Sequence, residues 1–222
     1  KLSNISQDFI HATETFLATD CVVDIGCSYG ITTFQVLASS LCKVIAIDAE
    51  ENHTRLLKQF IYEHHDQFSP RLSLVTGFFP QHLVLENNAV RAVHASHLLQ
   101  FLTGREIISG LKLCYNVIQP EGKIYLTTTS LYLPWLGNFA PTYKKNAITK
   151  SWPGEIYNFK DYAPELAKPF VGNFFHVFTL HDLCQIIEDV GFTIETNYYY
   201  NLLNPGEHNQ EKEEMIGIIA RK

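Results

Sequence analysis

From Val22 the chain runs Val22-Val23-Asp24-Ile25-Gly26-Cys27-Ser28-Tyr29-Gly30, an apolar stretch that breaks into a turn of small residues. Ile31 to Leu41 then carries helical character, and a second apolar run, Val44 to Ile47, ends on Asp48. The order is strand, tight loop, helix, strand, acid. That is the opening half of an α/β sheet that binds a nucleotide at the carboxyl ends of its strands.

A loop that turns sharply and lets a ligand approach its backbone has no room for a Cβ at the contact points. Gly26 and Gly30 meet that demand, with the small, polar Ser28 between them. The helix after the loop offers backbone N–H groups at its start, which suit an anionic group. Asp48 closes its strand at the same edge, where a carboxylate can accept hydrogen bonds from both hydroxyls of a ribose. The dinucleotide fingerprint Gly-x-Gly-x-x-Gly requires glycine at positions 28 and 31, and the chain has Ser28 and Ile31 there. A nicotinamide dehydrogenase is therefore disfavoured.

The pattern present, acid-x-Gly-x-(Gly/Ser)-x-Gly from Asp24, resembles the first motif of the class I S-adenosylmethionine-dependent methyltransferases. Ser28 stands where the middle glycine is more usual. The resemblance implies that Asp24, Gly26, Cys27, Ser28 and Gly30 surround the amino-acid end of S-adenosyl-L-methionine, and that Asp48 and Ala49 hold the ribose side. Family members often place an acid after a glycine that follows the third strand. Here the residues are Gly77 and Phe78, so an aromatic face replaces a side-chain acceptor for adenine. A βαβ unit that binds nothing would need the same glycines only for turning.

The 222 residues are enough for one α/β domain with an insertion, expected over 1–222. With 46% hydrophobic and 18% charged residues the composition is that of a globular protein. The net charge of −6, with no Lys/Arg-rich block, does not favour a nucleic-acid partner. Cys21, Cys27, Cys42, Cys114 and Cys184 are odd in number and form no Cys-x-x-Cys, so they read as buried thiols in a reducing compartment. No run approaches the ~18 apolar residues of a membrane span. No basic-then-apolar signal segment opens the chain, and a cytoplasmic location is the expectation.

Spacing predicts a helix over residues 1–18 and a third strand over Arg71 to Val75. Between the second and third strands, Glu51 to His64 is an amphipathic helix, followed by His64-His65-Asp66, which reads as a solvated helix end rather than a metal site. The fourth strand, Val90 to Ala95, ends at Ser96-His97, which places both at the reaction edge. Thr103 and Glu106 have capping-box spacing and open a helix to Val117. A Gln119-Pro120-Glu121-Gly122 turn and a fifth strand, Ile124 to Thr128, follow and strengthen the resemblance. Thr179 caps a helix to Val190, and strands over Thr193 to Tyr200 and Met215 to Ala220 close the chain, with a polar loop from Asn204 between them. The expected fold is a three-layer, doubly wound, mostly parallel seven-stranded α/β sheet whose last strand is antiparallel.

Residues 130–176 hold eleven aromatics, both tryptophans and five prolines, among them Pro164, Pro169 and Phe170. Such a segment suits an aromatic-rich cap over an apolar pocket, or an insertion with a small core of its own. His97 is the first candidate for a general base, because it lies at the reaction edge and its side chain titrates near neutrality. Tyr132 and His176 are further catalytic candidates from the cap, with Tyr143, Tyr157 and Glu155 behind them. Metal-assisted transfer would need clustered carboxylates near the fourth and fifth strands. Only Glu106 and Glu121 occur between Val90 and Ser130, and no metal is expected.

The expected activity is methylation of a small, partly apolar molecule. A protein or lipid acceptor, or a non-catalytic nucleotide- or partner-binding module of the same fold, are the alternatives.

Overall fold

A computed structural model describes residues 2–162, 173–201 and 213–222. Pro164, Pro169, Phe170 and the loop residues from Asn204 to 212 lie outside the described residues.

Seven strands form one sheet: β1 (Cys21–Ile25), β2 (Lys43–Asp48), β3 (Leu72–Thr76), β4 (Val90–Ser96), β5 (Ile118–Thr129), β8 (Thr193–Tyr200) and β9 (Met215–Arg221). Their order is β3-β2-β1-β4-β5-β9-β8. β1 to β5 pair in parallel, while β9 runs antiparallel to both β5 and β8. The fold is the α/β sheet expected from the sequence, with its antiparallel last strand in place.

Alternating side chains divide the core in two. On one face Val22, Val44, Ala46, Ala92 and Tyr125 pack under α1 (Asn4–Thr13), α2 (Ile31–Ser39) and α3 (Glu51–His64). On the other, Val23, Val93, Ile124, Leu126 and Ile218 pack under α4 (Gly104–Val117) and the helix Leu180–Val190. The Thr103–Glu106 capping box forms in full. Thr179 accepts from the Asp182 amide, and Gly191 closes its helix at φ +119°, as a C′ glycine does.

Several boundaries differ from expectation, three of them for a visible reason. α1 spans ten residues rather than the whole of 1–18, because Thr13 closes it with a hydroxyl bond to the Ile10 carbonyl. β3 sits one residue later than Arg71 to Val75; Arg71 instead turns its guanidinium onto the carbonyls of Leu37, Ser40 and Cys42. β5 begins at Ile118 because Ile118 already pairs with Val90. The Gln119–Gly122 turn loops out before pairing resumes at Ala92 and Lys123, and Lys222 ties that turn down through both its backbone groups. His65, rather than ending a solvated helix, stacks on Phe68 beside Phe34.

The segment after β5 is more regular than its prolines suggest. It holds α5 (Ala140–Thr149), α6 (Phe159–Tyr162) and a hairpin of β6 (Glu155–Ile156) with β7 (Phe175–His176). Pro141 lies in the first turn of α5, where its missing N–H costs nothing. Leu131, Leu136, Phe139, Ile156, Phe159 and Phe175 make a separate apolar cluster, closed against the sheet by Tyr200 and Met215. The helix Leu180–Val190, next after α6 among the described residues, is α7.

Candidate active site

β1, β2, β3 and β4 end side by side, and the candidate residues follow from those ends. After Ile25 the Gly26 and Cys27 amides both donate to the Ile47 carbonyl, at 2.8 and 3.1 Å. The loop then alternates in hand: Gly26, Ser28 and Gly30 have φ of +70°, +50° and +78°. Ser28 thus adopts the left-handed conformation that the missing glycine would supply, which costs an L-residue about 1 kcal/mol. Its amide donates to Asp48 Oδ2 at 2.7 Å. Cys27 is buried, and burial together with Asp24 and Asp48 pushes its thiol well above the ordinary range, so it stays protonated and inert.

Asp48 also accepts from the Glu50 amide at 2.9 Å and from His53 Nδ1 at 3.1 Å. Tyr29 meets the His53 ring edge-on, with centroids 4.4 Å apart. His53 and Tyr29 were not singled out in the sequence. The signal for His53 was its place in the first turn of the helix directly after the acid. Ala49 is exposed next to Asp48. The Gly77 amide donates to the Asp48 carbonyl at 2.9 Å, which brings the end of β3 to the same place. Phe78 is 64% exposed there, while its amide is bonded to His82 Nδ1 at 2.8 Å.

At the end of β4, Ser96 Oγ lies 2.8 Å from Thr127 Oγ1, and the His97 amide donates to the Thr127 carbonyl at 2.9 Å. His97 has φ +54°, a strained value for a residue with a full side chain. Burial, and after it the neighbouring His94, hold the His97 imidazole below the usual 6.5, so it is neutral at pH 7. Among the described residues its ring nitrogens have no hydrogen-bond partner. Leu98 packs 3.4 Å from where a Cβ on Gly26 would stand, so the loop after β4 abuts the glycine loop.

The remaining candidates sit elsewhere. Asp24 is 2% exposed, and both its oxygens are engaged, by Thr33 Oγ1 at 2.6 Å and His94 Nδ1 at 2.8 Å. It supports the loop from beneath instead of facing a ligand. Tyr132 is half-exposed, edge-on to Tyr199. His176 is 1% exposed, donates through Nδ1 to the Leu102 carbonyl at 3.0 Å and stacks on Phe178. It fastens the cap to the loop after β4. Glu155 does the same from the hairpin, accepting from the Gly104 amide at 2.8 Å and from the Tyr157 hydroxyl. Tyr143 donates to Asp182.

Burial lowers the His176 pKa from 6.5 to about 4. Between those values the unfolded chain binds a proton that the folded chain refuses, so stability falls as pH drops through that window. The full gap corresponds to about 3 kcal/mol. A thermal melt series from pH 7 to 4 should show this loss, and His176→Gln should flatten it.

The residues present suit S-adenosylmethionine. The loop of left-handed residues keeps the backbone open to close approach, Asp48 offers carboxylate oxygens to a diol, and Phe78 offers an exposed aromatic face to a purine. Among the described residues no group of three His, Cys, Asp or Glu side chains is placed to hold a metal ion. No described helix is long and apolar enough to cross a membrane.

The fold and this loop resemble those of the class I S-adenosylmethionine-dependent methyltransferases. Residues 22–122 match the family described as a methyltransferase domain. The sequence has no match among curated proteins. Solved structures share the fold at low identity. An S-adenosylmethionine-dependent methyltransferase from Mesorhizobium loti aligns with TM-score 0.69 and 13% identity over 98% of each chain. One from Methanosarcina mazei aligns with TM-score 0.68 and 17% identity over 96% of each chain. The [4+2]-cyclase SpnF aligns with TM-score 0.66 and 12% identity, covering 99% of this chain and 80% of that one.

Proposed function

We propose that the protein transfers the methyl group of S-adenosylmethionine to a small, partly apolar molecule held between the strand ends and the aromatic cap. The observation that carries this reading is the docking of the cap on the loop after β4. Trp152 packs so closely on Gly104 that a Cβ there would enter its ring, Phe101 meets Phe175 edge-on, and His176 is bonded to Leu102. Aromatic walls at the reaction edge favour a compact acceptor with an apolar body, and they exclude water.

When bound, S-adenosylmethionine supplies a methyl group on a sulfonium, which is already a good leaving group. The chain's task is then to position and desolvate the acceptor. Gly26, Ser28 and Gly30 shape the loop, Asp48 with His53 behind it holds the ribose, and Phe78 faces the adenine. His97, neutral and without a hydrogen-bond partner among the described residues, takes a proton from the acceptor where the acceptor carries one.

The test is formation of S-adenosylhomocysteine from S-adenosylmethionine across a panel of small phenols, amines and carboxylic acids. Turnover with at least one compact acceptor, and none with peptides or lipid vesicles, supports the reading; turnover only with a peptide or vesicle overturns it. For a neutral acceptor, kcat/KM should rise with pH through a value below 6.5 and then level off. His97→Ala should lower kcat by about a hundredfold and abolish that acidic limb.

One observation favours a second reading. The Phe78 amide is already bonded to His82, so adenine finds that donor taken. A non-catalytic, partner-binding module of the same fold would show no binding of S-adenosylhomocysteine and no turnover with any acceptor.

A further inference from the structure

Beneath the cofactor loop lies a chain of buried polar groups that methyl transfer does not use. Thr33 Oγ1 of α2 donates to Asp24 Oδ2 of β1 at 2.6 Å. Asp24 Oδ1 accepts from His94 Nδ1 of β4 at 2.8 Å. His94 Nε2 takes the hydroxyl of Ser6, on α1, at 2.9 Å. Ser6 Oγ in turn lies 2.9 Å from Ser3 Oγ, and Ser3 is the N-cap of α1. Ser6, Asp24 and His94 are all 2% exposed or less.

The order Ser, His, Asp is that of a nucleophilic triad, but Ser6 is sealed under α1 and no substrate can reach it. The connectivity is what matters. The bond between Asp24 and Thr33 spans the base of the Gly26–Gly30 loop and fixes where α2 starts relative to β1. The orientation of Asp24 is set by His94, and that of His94 by Ser6. From Thr33 to Ser6, each polar group in this chain has its partner on a different element. In a low-dielectric interior, a change at one end therefore cannot be absorbed by water.

We propose that Ser6 and His94 are positioning residues for cofactor binding, through which α1 sets the geometry of the glycine loop. The proposal rests on the reading that the loop binds S-adenosylmethionine. Neither residue touches the ligand; each acts through Asp24. By linkage the effect is reciprocal, so cofactor must stabilise α1 as much as α1 favours cofactor.

The experiment is calorimetric titration of the full chain with S-adenosylhomocysteine, for the parent, Ser6→Ala and Ile5→Val. Ile5 is buried in the same helix and packs on Gly217, outside the polar chain, so its variant reports loosening of α1 by packing alone. The expected result is a dissociation constant raised about tenfold by Ser6→Ala and less than twofold by Ile5→Val at a comparable fall in Tm. Equal effects, or none from Ser6→Ala, overturn the proposal while leaving the cofactor reading intact. No binding by the parent removes the cofactor reading, and this proposal with it. Hydrogen exchange on the parent gives an independent reading that needs no variant to fold. Saturating S-adenosylhomocysteine should slow exchange across Asn4–Thr13 several-fold, and unchanged exchange there overturns the proposal.

Discussion

Asp48→Ala should weaken S-adenosylhomocysteine binding about a hundredfold. Two hydrogen bonds from ribose hydroxyls to a carboxylate are worth about 1.5 kcal/mol each or more, and every 1.4 kcal/mol is a factor of ten in affinity. The same substitution strips the Ser28 and Glu50 amides of their acceptor, so the loop itself loosens. Asp48→Asn separates the two contributions. It keeps one acceptor oxygen and the shape of the side chain, and its affinity should fall between those of the parent and the alanine variant. Calorimetry well below the Tm of each variant makes the comparison. Equal affinity in all three proteins would mean that the acid at the end of β2 serves only to brace the loop.

Gly30→Ala should lower Tm by about 5–15 °C and abolish measurable cofactor binding. Gly30 has φ +78°, and a Cβ there would fall inside the side chain of Leu57, which is buried in the core. The left-handed conformation costs alanine about 1–2 kcal/mol. Overpacking adds about 1–3 kcal/mol, and each kcal/mol moves Tm by about 2–4 °C in a chain of this size. Gly26→Ala is the natural comparison. It shares the positive φ, but its nearest neighbour, Leu98, stands off at 3.4 Å, so only the conformational penalty applies. A melt showing the two variants equally destabilised would remove the packing half of this argument.

The parts of the fold legible in the sequence were those written in local chemistry. The glycine loop, the acid ending β2, the Thr103–Glu106 box and the Thr179 and Gly191 caps depend on neighbours a few residues apart, and all form where expected. Long-range bonds hid the rest. Asp24 matches a ligand-facing motif position, yet its partner is His94, seventy residues away, so its burial could not be read from the motif. His176 has the chemistry of a catalyst but is tied to the Leu102 carbonyl, 74 residues away, which its own neighbourhood does not predict. The place of His53 in the first turn of α3 sets it near Asp48, but the bond between them is not legible from spacing alone. The five prolines of residues 130–176 argue against regular structure there, yet Pro141 begins a helix rather than breaking one.

The most direct test of the account is a calorimetric titration of the unmodified protein with S-adenosylhomocysteine. Saturable binding at one site per chain, with a dissociation constant in the micromolar range, is the predicted result. A flat titration at millimolar ligand would contradict the assignment of the Gly26–Gly30 loop and Asp48 as a cofactor site, and with it the proposed methyl transfer.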